Sequence, residues 1–144
     1  MSARQRRVER LVELAAEALR SARNAAATAA REVEQAREAS REREQSWSSA
    51  AQQFGTGVAR STDLDEQAAH LRTLRLRADE ALRRVERAVA EERRAAAAVV
   101  KAATEQRKME MLRDRIVQAQ REEESRQERR TSDELAARAA RSKP

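Results

Sequence analysis

The sequence predicts an all-α protein, two long helices folded into an antiparallel coiled-coil hairpin, and three observations carry that prediction. Ala, Arg, Glu and Gln dominate, residues that lose little freedom on entering a helix, and 39% of the side chains are charged. Only two Gly and one Pro interrupt 144 residues. Apolar residues recur at alternating steps of four and three, the seam pattern of a coiled coil. With one Trp, one Phe and no Tyr, the chain lacks the bulk for an ordinary globular core.

The first helix is expected over about 5–54. Its seam runs Val8, Val12, Ala15, Leu19, Ala22, Ala26, Ala29, Val33, Ala36, Ser40, Arg43, Trp47, Ala50, Phe54, broken only at Ser40 and Arg43. Both glycines of the chain follow at once, in GTGVARSTD. Gly55 reads as a helix stop, and Asp63 as the N-cap of the next helix, with Glu66 three residues on completing a capping box. The loop is therefore expected over about 55–63.

A second helix over about 64–130 carries the seam Leu71, Leu74, Ala78, Ala81, Val85, Ala88, Glu92, Ala95, Val99, Ala102, Gln106, Met109, Arg113, Ile116. Helices of such length make a rod on the order of 70 Å or longer. A connection of about eight residues cannot carry the chain back along it, so the helices must run antiparallel, as a single hairpin domain over 1–144. Alanine fills most of one heptad position in each seam, so each layer buries little apolar area, which predicts marginal stability and fraying ends. Past Ile116 the seam turns polar at Gln120, Glu123 and Gln127. The last stretch is expected to project beyond the paired rod or to meet a partner.

That stretch ends in a tail of its own, TSDELAARAARSKP, the extension 131–144. Thr131 and Glu134 have the spacing of a capping box, predicting a new helical turn there. Asp133 and Glu134 would then sit at its positive end, Arg141 and Lys143 at its negative end. Glu134 and Arg138 can pair at i, i+4, while Leu135, Ala139 and Ala136 offer a narrow apolar strip. The residues alone leave two readings open, a frayed end or a contact surface.

Catalytic chemistry is not indicated. The chain has no cysteine and a lone histidine, His70, without the convergent groups that a metal or catalytic site needs. Gly55-Thr56-Gly57 lacks the following Gly-Lys-Thr/Ser of a phosphate loop. The expectation is a protein that is not an enzyme and takes no cofactor. No apolar run is long enough to cross a bilayer and Glu9 and Glu13 interrupt the N-terminus, so a soluble, unprocessed protein is expected.

The net charge of +6 could suit nucleic acid, anionic lipid or an acidic protein. Arg72, Arg75, Arg77, Arg83, Arg84, Arg87, Arg93 and Arg94 are the candidates for phosphate contact. Asp79, Glu80, Glu86, Glu91 and Glu92 are interspersed with them and no aromatic platform accompanies them, so no nucleic acid is expected as partner. Trp47 and Phe54, one heptad apart, read as aromatic plugs closing the seam, with a partner-binding hot spot as the other reading.

The ending Asp133-Glu134-Leu135-Ala136-Ala137-Arg138-Ala139-Ala140-Arg141-Ser142-Lys143-Pro144, after Arg129-Arg130, resembles the end of the FliJ/YscO family. There, a DE, two or three residues, then R and A closes a two-helix protein of similar length, and the likeness extends more loosely over the whole chain. The resemblance implies a stalk-like coiled coil of a type III secretion system, flagellar or injectisome. Such a protein stands in the pore of a hexameric export ATPase, promotes its assembly and activity, and links it to the export-gate membrane protein. Some members handle export chaperones. It would be cytoplasmic, peripheral to the inner-membrane export apparatus.

On this resemblance Asp133, Glu134, Leu135, Arg138 and Arg141 are the expected ATPase contacts, and His70, Leu71 and Leu74 the expected export-gate contacts. The competing classes are a basic coiled coil on nucleic acid or a membrane surface, and a generic structural dimer whose seams pair between chains.

Overall fold

The computed structural model describes residues 1–54 and 61–142. The chain forms two helices, α1 (Ala3–Gln53) and α2 (Ser61–Arg141), which pack against each other as a helical hairpin. No strand occurs among the described residues.

α1 starts earlier than its seam suggests because Ser2 caps it. The Gln5 amide donates to Ser2 Oγ at 3.1 Å, and the Ser2 amide donates to Gln5 Oε1 at 2.9 Å. Two otherwise orphaned amides are satisfied by one reciprocal pair, the capping box in its Ser-x-x-Gln form. The first backbone turn closes from the Arg6 amide to the Ser2 carbonyl at 3.0 Å. At the other end the Phe54 amide donates to the Ala51 carbonyl at 3.3 Å, tightening the last turn. The proposed stop at Gly55 lies outside the described residues.

α2 begins at Ser61, so Asp63 is an acidic residue of the first turn and not the N-cap. A carboxylate there is favoured by the helix dipole whether or not it caps. α2 then continues without interruption to Arg141, through the point where the tail was expected to start anew. Thr131 lies inside it and its hydroxyl donates to the Gln127 carbonyl at 2.9 Å. A side chain bonded back to the preceding turn cannot cap the following one, so the capping box at Thr131 and Glu134 does not form.

By its contacts the chain divides into two compact units, one of Met1–Arg20 with Lys101–Pro144 and the other of Ser21–Val100. In the first unit Ser2 Oγ reaches Gln120 Oε1 at 3.4 Å, and Arg113 Nε lies 4.0 Å from Glu9 Oε1. Partner numbers fall on α2 as they rise on α1, which is the antiparallel arrangement. In the second unit Arg75 ties the helices, pairing with Glu44 at 3.3 Å and with Asp79 at 3.2 Å, while its guanidinium lies 4.9 Å over the Trp47 ring.

The seams are where the spacing placed them. Val8, Leu19, Ala29, Val33 and Ala36 on α1 and Ala78 on α2 are buried. Every α2 seam residue from Leu71 to Ile116 is at least half-covered, including Glu92, Gln106 and Arg113. On α1 only Arg43 and Phe54 fail. Phe54 is 41% exposed, so it is not a plug; it directly follows the last residue of α1. Trp47 is half-buried and takes the Arg75 cation on its face, a contact between exposed and buried character worth about 1 kcal/mol.

Candidate functional site

The residues expected to make contacts fall in two places. The first is the end of α2. Because α1 starts across from Gln120, the residues of α2 beyond that point have no α1 residue facing them. Ser125 is the last residue with partial cover, and all those from Arg126 to Ser142 are exposed. At 1.5 Å per residue, the stretch from Gln120 to Arg141 is an overhang of about 30 Å. It is held as a helix largely by its own local interactions, such as Arg126 with Glu122 and Glu123 at 4.0 and 3.6 Å.

Asp133, Glu134, Leu135, Arg138 and Arg141 all lie on this overhang and all are exposed. The expected Glu134–Arg138 pair is not made, and none of the four charged groups pairs with another described side chain. Leu135 is 60% exposed, beside Thr131 and Glu128 on one face. Arg138 and Arg141 fall in the last turn of α2, the cation-favouring end of the dipole. Asp133 and Glu134, expected at a helix start, instead sit well inside the helix, without dipole support.

The second place is a small notch of about 160 Å³ lined by Ala50, Gln53, Phe54, Gln67, His70 and Leu71. It brings His70 and Leu71 together with Phe54, which the sequence reading had not grouped with them. The signal was available, since Phe54 closes the α1 seam and Leu71 opens that of α2. Leu74 does not join the notch; it is half-buried, a position its seam spacing accounts for. His70 is exposed and Leu71 half-buried.

Of the eight candidate phosphate-contacting arginines, four are engaged by carboxylates. Arg75 holds Glu44 and Asp79, Arg83 and Arg87 share Glu80, and Arg94 pairs with Glu91. The hydrogen bond from Arg87, followed by that from Arg83, holds the Glu80 carboxyl below its ordinary range. Among the described residues there is no cluster of metal-ligating side chains, and no helix is long and apolar enough to cross a membrane.

An uninterrupted pair of helices around a sparse alanine-rich seam, with its charge turned outward, defines a helical-hairpin protein. The model of the flagellar FliJ protein family matches residues 4–144. The chain therefore belongs to the FliJ family, which places it among the components of flagellar type III export, a family of structural export components. No curated protein and no solved structure matches it.

Proposed function

We propose that the chain is a central-stalk-like component of the flagellar export apparatus, working in the cytoplasm beside the inner-membrane machinery. Its overhang enters the pore of the hexameric export ATPase, with Arg138 and Arg141 meeting acidic or carbonyl groups and Asp133 and Glu134 meeting basic ones. Occupying the pore promotes assembly of the ring and its activity. The notch of Phe54, His70 and Leu71 supplies the contact with the export-gate membrane protein. The observation that carries this reading is the overhang itself. It is a long stretch of exposed helix on which Asp133, Glu134, Arg138 and Arg141 have no ion-pair partner among the described residues.

Each contact orders long side chains and is screened by salt, so binding is modest and weakens as ionic strength rises. The test is deletion of residues 131–144, assayed for stimulation of the export ATPase and for export in cells. Loss of both with the helical hairpin still formed supports the reading, and undiminished stimulation and export refute it. His70→Glu with Phe54→Ser tests the gate contact separately, through binding to the gate protein with ATPase stimulation as the internal control.

A further inference from the structure

A surface in the second unit, sharing no residue with the overhang or the notch, has the features of another binding site. Ala39 and Arg43 from α1 and Leu76, Arg77, Glu80 and Arg84 from α2 line an open groove of about 540 Å³. Leu76 stands there 66% exposed, so it contributes little to holding the hairpin together. Glu80 is the groove's one carboxylate among the described residues, and it is already shared between Arg83 and Arg87, each at 3.3 Å. Arg43, Arg77 and Arg84 make no ion pair with any described side chain.

One solvated arginine signifies nothing. Here three uncompensated guanidiniums flank an exposed leucine in a concavity, a combination of fork-shaped donors and an apolar anchor point. Arg77 and Arg84 are seven residues apart, two turns on the same side of α2, with their backbones about 10 Å from one another. Carboxylates seven residues apart on another helix have the same spacing. A duplex backbone offers no apolar group for Leu76 to meet, and a bilayer surface is flat where this face is a groove.

We propose that this groove docks an acidic amphipathic helix of a protein partner, with carboxylates on Arg77 and Arg84 and an apolar side chain on Leu76. Arg43 borders the same groove from α1 and adds to its attraction for negative charge.

Fluorescence anisotropy on the full chain tests it at about 150 mM salt, using a labelled helical peptide with glutamates spaced by seven and leucine between them. The expected loss on Arg77→Gln with Arg84→Gln is about tenfold or more. Leu76→Ser costs several-fold. Arg93→Gln with Arg107→Gln removes the same charge outside the groove and changes affinity less than about twofold. All these positions are exposed, and unchanged helicity by circular dichroism confirms that the variants fold. Equal losses in the two double variants, or no binding of the peptide, overturn the proposal. So does tighter binding to phosphatidylglycerol vesicles or duplex RNA that the groove substitutions abolish.

Discussion

From Leu71 to Gln120 every seam position of α2 is at least half-covered, whereas from Arg126 to Ser142 no residue of the same helix is. Both stretches are helical and rich in charge, and both contain alanine and leucine. What separates them is α1, which begins across from Gln120 through the Ser2 contact. Cover in this protein is conferred by the opposing helix. Where that helix is missing, leucine and alanine become contact groups, and the polar seam at Glu123 and Gln127 is consistent with a stretch that does not depend on intramolecular pairing.

The widest gap between the two stretches should appear on placing a carboxylate in each. Val33→Asp, at a site 2% exposed, is expected to cost about 3 kcal/mol or more because the charge has no partner there. Leu135→Asp, on the overhang, should stay within about 0.5 kcal/mol. Urea unfolding followed by circular dichroism reads both, and comparable losses would break the comparison. Leu19→Ala follows, at about 2 kcal/mol for a buried side chain in a seam that can partly close up.

Smaller effects test the ends and the tie between helices. Ser2→Ala removes the cap of α1 and should cost about 1 kcal/mol, with faster amide exchange confined to the first turns. Arg75→Ala loses the Trp47 contact and its half-exposed ion pairs, together about 1 kcal/mol, and should alter Trp47 fluorescence.

Acidification gives the smallest effect. The folded Glu80 carboxyl is held below its ordinary value by Arg87 and Arg83. Its contribution is therefore present above the ordinary carboxylate range and lost as pH falls through the lower folded value. Glu80→Gln should lower stability slightly at neutral pH and leave the acid end almost unaffected, so that the acid limb flattens.

The fold was legible because heptad spacing is a geometric property of the sequence itself. Val8 to Ala50 and Leu71 to Ile116 face the partner helix as their spacing requires, apart from Arg43. The ends were harder to read. Ser2 and Gln5 form a cap that was present in the sequence but preceded the seam. The Thr131 and Glu134 pattern has the same spacing, yet it falls where the helix already continues, and back-bonding to Gln127 is then available to the hydroxyl. A capping box marks a helix start only where something else stops the preceding turn. The notch of Phe54 with His70 and Leu71 and the groove at Leu76 depend on which residues two helices bring side by side, and that is set by register as well as by spacing.

The central claim, that the uncovered end of α2 is the working contact, can be tested by hydrogen–deuterium exchange on the full chain with and without the assembled export ATPase. Amides of residues 126–141 are predicted to exchange quickly in the free protein and to become protected in the complex, while those of Leu71 to Gln120 change little. Protection confined to the covered stretch, with the overhang still exchanging freely, would contradict the account.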